Sequence, residues 1–159
     1  MLPFGERGIE ATMKVTMLLA DFAQVLQGKL YIMGGGWSIT GPQPSLSAIA
    51  LKIEVPWTQT NRRHDFALEL IDADGRPVKV PGPNGEAPAV MTGHFEVGRP
   101  PGMAAGTPLD MPLALAIGPM PLAAGRYVWK LSIDGTSQDD WEAAFSVRAA
   151  PADVSPSRG

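Results

Sequence analysis

Two histidines, His64 and His94, and no cysteine make up the side chains that could serve near neutral pH as imidazole bases, thiol nucleophiles or soft metal ligands. A transition-metal site converges three or four ligands, so two imidazoles without thiolates would leave carboxylates to complete it. His94 alternates with Thr92 and Glu96, which assigns it to the solvent side of a strand. His64 shares parity with Phe66 and Leu68 and follows Asn61, so it is expected to hydrogen-bond local backbone and close the 56–64 crossover. No metal and no cofactor is expected.

Other motifs fail on their surroundings. Gly34-Gly35-Gly36 invites comparison with a phosphate loop, but Trp37-Ser38-Ile39-Thr40 follows, with neither a basic residue nor a helix start. A bulge, a sharp bend or a close approach of backbone is the expected use of those glycines. Ser38 lacks the glycine two residues on that a nucleophile elbow requires. Glu54, Glu69, Glu96 and Glu142 fall on outward strand positions, where carboxylates solubilise a sheet rather than pair for sugar hydrolysis. Asp72, Asp74, Asp134, Asp139 and Asp140 cluster in or beside turns. Were the two groups to meet at one end of the fold, calcium could bind them. No catalytic residue is assigned, and the chain is not expected to be an enzyme.

The elements that must position these residues are strands. Ile49, Leu51, Ile53 and Val55 alternate with Lys52 and Glu54, and Tyr127, Trp129, Leu131 and Ile133 alternate with Arg126, Lys130 and Asp134. Phe66, Leu68 and Leu70, the odd positions of 109–117, and Trp141, Ala143, Phe145 and Val147 repeat the pattern. Successive Cβ atoms of a strand point to opposite faces, so period-two alternation means one buried face. Asp72-Ala73-Asp74-Gly75 and Asp134-Gly135 supply hairpin chemistry. About eight or nine strands are expected, at 13–20, 29–33, 47–55, 64–72, 76–80, 89–97, 109–117, 125–134 and 137–147. The long Pro/Gly segment 98–108 favours sheet-crossing connections over a simple meander, hence an all-β sandwich of two antiparallel sheets. One helical turn is expected over 58–63, capped by Thr58.

Composition agrees. The chain has 159 residues, 18 Gly and 16 Pro, with 18% charged residues. That length suits one domain with its own core, read as 12–148 between a flexible extension 1–11 and a flexible tail 149–159. A net charge of −3, with Arg62-Arg63 the densest basic cluster and Asp65 close behind, argues against nucleic acid. No apolar run approaches the roughly 18 residues of a membrane span. Met13-Lys14-Val15-Thr16-Met17-Leu18-Leu19-Ala20 faintly resembles a leader, but Asp21 interrupts it and no cleavage site follows. Met13 is equally acceptable as a natural start. Lack of cysteine leans towards the cytoplasm.

Ala20-Asp21-Phe22-Ala23-Gln24, Gly28-Lys29-Leu30-Tyr31-Ile32-Met33-Gly34-Gly35-Gly36-Trp37, and Val55-Pro56-Trp57 with Asn61 and His64 are more specific than the alternation. Together they resemble a family of small bacterial proteins, mostly actinobacterial, that is described as a domain of unknown function. The resemblance spans about residues 13 to 148. It implies an immunoglobulin-like sandwich and a bacterial origin, and it implies no activity.

The expectation left is a non-enzymatic binding or assembly module of a bacterial cytoplasm, with an unidentified protein partner. Trp37 and Trp57, near strand ends, would be its anchors and Arg62 and Arg63 its polar rim. The alternative is a ligand-binding sandwich, for calcium or sugar, that uses the Asp-rich turns.

Overall fold

The computed structural model describes residues 12–151. The extension expected at 1–11 and most of the tail, 152–159, lie outside them. Eleven strands follow one another: β1 (Lys14–Leu26), β2 (Lys29–Gly35), β3 (Ile39–Thr40), β4 (Ser47–Val55), β5 (Arg63–Asp72), β6 (Lys79–Gly82), β7 (Gly85–Pro88), β8 (Val90–Glu96), β9 (Leu109–Ile117), β10 (Gly125–Ile133) and β11 (Glu142–Val147). Sheet A has the order β2-β1-β4-β9, sheet B the order β3-β11-β10-β5-β8, and β6-β7 form a small ribbon. All pairings are antiparallel except β3 with β11. The chain is thus an all-β sandwich, and among the described residues no helix is long and apolar enough to cross a membrane.

Alternation explains the layering. Ile49, Leu51, Ile53 and Val55 of β4 and Leu68, Leu70 and Leu131 of sheet B are all fully buried in one shared core. Removing a side chain of that size from water contributes about 2 kcal/mol each. Trp129 and Trp141 join them, as the inward sets predict. Two-residue turns with positive φ at both positions close two hairpins, at Gln27-Gly28 (51° and 72°) and Asp134-Gly135 (51° and 78°). At the 72–75 turn the Asp72 carboxylate accepts the N–H groups of Asp74 and Arg76, at 2.9 and 3.0 Å, which fixes the bend.

Several boundaries differ from expectation. β1 does not stop at Ala20 but runs on to Leu26, because Asp21 lies at a solvent-exposed strand position and interrupts nothing. Residues 137–141 leave the β10–β11 ladder as a bulged loop, so β11 starts at Glu142. The strand expected at 76–80 lies at 79–82 and pairs locally with the unforeseen β7. The turn after Pro56 is a 3-10 turn over Trp57–Gln59 with no side-chain cap; Thr60, not Thr58, closes it by donating its hydroxyl to the Trp57 carbonyl at 2.7 Å.

Candidate protein interface

The four residues singled out in the sequence do not share a surface. Trp37 sits where β4 begins, close to Ser47, and Trp57 follows Val55 where β4 ends. Nine residues of strand put them roughly 25 Å apart. Trp37 is half-buried edge-on against Phe145, with centroids 6.1 Å apart. It borders a cavity of about 50 Å³ shared with Leu19, Met120 and Trp129, and its indole N–H is buried without an acceptor among the described residues. Trp57 is stacked under Arg99, whose guanidinium lies 3.9 Å from the ring centroid. Arg99 also donates to the Trp57 carbonyl at 2.6 Å and to the Thr60 hydroxyl at 2.7 Å. Arg62 and Arg63 are exposed at Trp57's end, and Arg63 donates to Asp65 at 3.0 Å. Arg99 was not foreseen, because nothing in its Pro/Gly-rich surroundings marks the residue it would reach.

His64 does hold the crossover. Its ring is fully buried, stacked on Phe95 at 5.3 Å between centroids. Nε2 donates to the Gln59 carbonyl at 2.7 Å and Nδ1 to the Asp134 carboxylate at 2.6 Å. Burial works to raise the Asp134 carboxyl. The hydrogen bonds from His64 and from the Asp65 N–H (2.9 Å), with the charges of His64 and Arg62, outweigh burial and hold it below its ordinary value. Both imidazole nitrogens are therefore engaged in structure. The premise of a calcium site fails on register. β5 pairs Asp72 with Tyr127 and Phe66 with Ile133, so the two Asp-rich turns occupy opposite ends of one ladder. Among the described residues no three acidic or histidine side chains converge as a metal site would require.

The outer faces of the two sheets separate polar from apolar. Sheet B presents Glu69 opposite Lys130, and the Lys130 ammonium lies 3.6 Å from Glu142. On the outer face of sheet A, Lys14, Lys52, Glu54 and Asp110 gather at the Lys14 end, where Lys52 meets Asp110 at 3.5 Å, and Lys29 lies opposite Leu26 at the far tip. Along the same face, Ala20, Ala48 and Ala50 are covered by their neighbours, and large apolar side chains then take over. Beyond Ala20, β1 has no β4 residue beside it and pairs with β2 alone, as a two-stranded arm. On that arm Phe22 lies opposite Met33, and Phe22, Leu26, Tyr31 and Met33 are 51%, 52%, 52% and 67% exposed. Ile32, on the arm's other face, is also exposed. The glycine run finds its use here: Gly34 has φ +61° and the Asp21 carboxyl occupies the place a Cβ would need, so a side chain, not backbone, makes the close approach. Sequence reasoning placed the β2 half of the arm, at 29–33, and missed the β1 half, 21–26, where exposed Asp21 and Gln24 break the apolar run.

No curated protein matches the chain. Residues 15–147, from β1 to the last residue of β11, match the model of DUF6941, a family of unknown function, and the chain belongs to that family.

Proposed function

We propose that this protein is a non-enzymatic binding or assembly module of the bacterial cytoplasm, built on an immunoglobulin-like sandwich, and that it works through the β1–β2 arm. The observation that carries this reading is the set of four large apolar side chains, each at least half exposed, on one face of a single two-stranded ribbon. Contiguous apolar surface of this kind on a protein in water marks a site that a partner covers. A ribbon of two strands is itself marginal in water and gains most from added contacts. The non-enzymatic half of the reading is supported by His64, the buried imidazole, whose two nitrogens both serve the fold. The setting agrees with a chain without cysteine.

A photoreactive benzophenone side chain at position 33, on the arm, is expected to form protein adducts in the source cells. The same group at position 69, on the outer face of sheet B, is expected to form few. Equal labelling at the two positions, or no protein adduct at 33, overturns the reading.

A further inference from the structure

We infer that two copies of this chain join through β2, pairing antiparallel about a two-fold axis at Tyr31, an inference that rests on the arm being the working surface. Four strands end the two sheets, and three of them are blunted. β9 carries Pro112 inside the strand and follows Pro108, β3 has only two residues, and β8 holds Gly93, His94 and Glu96. β2 has no proline and no charge after its first residue, Lys29, and is exposed along nearly its whole length. Such an edge presents unpaired N–H and C=O groups and is a template for another strand.

The geometry of β2 selects a register. Regular extended backbone runs from Lys29, just past the Gln27-Gly28 turn, to Met33, where Gly34 turns to φ +61°. A two-fold antiparallel pairing that uses all five residues is centred on Tyr31. It sets Tyr31 against Tyr31 on one face and Leu30 against Ile32 on the other, apolar against apolar in each case. A strand of this pattern is its own best complement, which is the requirement for an isologous contact. The remaining pair sets Lys29 of each copy beside Met33 of the other, on the Tyr31 face, where the lysine stem can lie along an apolar side chain. Pairing along this edge covers chiefly Leu30, Tyr31, Ile32 and Met33 of each copy, on the order of 100 Å² apiece, which is below the roughly 1,000 Å² at which stable specific interfaces begin, so the dimer is weak.

Sedimentation equilibrium of the full chain from about 5 to 500 μM is expected to show the mass rising from 16.8 kDa towards twice that value. Monomer throughout overturns the inference. Ile32→Lys, checked for an unchanged melting temperature, is expected to weaken association at least tenfold; a variant that dimerises as well as the parent overturns it too. Because the chain has no cysteine, Tyr31→Cys introduces a single thiol at the axis. It should form a disulfide-linked dimer under mild oxidation much faster than Val90→Cys, whose thiol lies on the β8 edge and is similarly exposed. Equal rates defeat the register and the inference with it. A chain that stays monomeric yet labels a different protein from position 33 loses the dimer and keeps the binding module; one that does neither loses both.

Discussion

The two ends of the sandwich each carry an indole, and the indoles are held in opposite ways. At the Trp57 end, a crossover leads from β4 in sheet A to β5 in sheet B, and polar side chains fasten it. Arg99 covers the Trp57 ring and binds its carbonyl, Thr60 closes the turn, and His64 ties Gln59 to Asp134. The Asn61 N–H adds a bond to the Val97 carbonyl at 2.7 Å. At the Trp37 end, apolar packing does the holding, around a small cavity and beneath a loop containing Pro42 and Pro44. Polar side chains act there too: Asp72 fixes the 72–75 turn, and Tyr127 beside it donates to the Ala123 carbonyl at 2.6 Å; burial, with the Asp72 charge behind it, pushes that phenol up. Both ends carry crossings between the sheets, the Trp57 end at 56–62 and the Trp37 end at 36–38, 41–46 and 118–124. The backbone groups of a crossing must be paired; at the Trp57 end side chains do much of this, whereas at the Trp37 end the Ser38 and Thr40 carbonyls accept backbone N–H groups, from Ser146 and Arg148.

The largest test of this contrast is His64→Phe. The new ring keeps the stacking on Phe95 but takes the imidazole donors away from the Gln59 carbonyl and from the Asp134 carboxylate, which keeps the Asp65 N–H. His64 is fully buried but the Asp134 carboxylate is 46% exposed, so losing both bonds is expected to cost about 2 kcal/mol, read as a fall in the denaturation midpoint. A loss below about 1 kcal/mol would mean that the crossover is held by packing, like the other end.

Acid should reach the same network. The Asp134 carboxyl is held below its ordinary value of 3.8 in the folded chain, so the folded state binds protons less readily than the unfolded one. Its contribution to stability is fully present above that ordinary value and is lost as pH falls through the lowered one. Asp134→Asn, which has no carboxyl to protonate, is expected to lose less melting temperature between pH 6 and pH 3 than the parent does. Equal losses would place the acid sensitivity elsewhere.

How much of this was legible in the residues depends on whether a strand has one wet face. β4 and β9 lie at 47–55 and 109–117, as the alternation predicts, since Lys52, Glu54 and Asp110 mark the outer side. The His64 bond to local backbone was also legible, from its core parity beside a crossover. Its second partner was not, because Asp134 lies 70 residues on and reads as an ordinary hairpin residue. Of the arm, β2 was legible at 29–33 but the β1 half was not. Phe22 and Leu26 share one face with Gln24, and Ala23 and Val25 share the other with Asp21, so polar and apolar residues mix on both and no single wet face stands out. Trp37 and Trp57 looked alike in sequence because both follow turn-forming residues, and only the run of β4 separates them.

Arg99→Ala should cost less than His64→Phe. The side chain is exposed, so its stacking and its hydrogen bonds are partly matched by water, and about 1 kcal/mol is expected. Arg99→Lys should recover little of it, since an ammonium cannot lie flat on the indole while reaching two acceptors.

The smallest effect, at the other indole, is the most discriminating. Trp37→Phe removes an N–H that is buried without an acceptor and keeps a ring against Phe145. Loss of the unpaired donor favours the variant, while loss of ring volume beside an existing cavity opposes it. The two should nearly cancel, leaving the midpoint within about 1 kcal/mol of the parent. The matching change at the far end, Trp57→Phe, shrinks the surface beneath Arg99 and should lower the midpoint by a similar small amount while leaving both carbonyl bonds in place. If Trp37→Phe instead costs more than about 2 kcal/mol, the indole N–H has a partner in solution. The two ends would then be fastened by the same kind of contact.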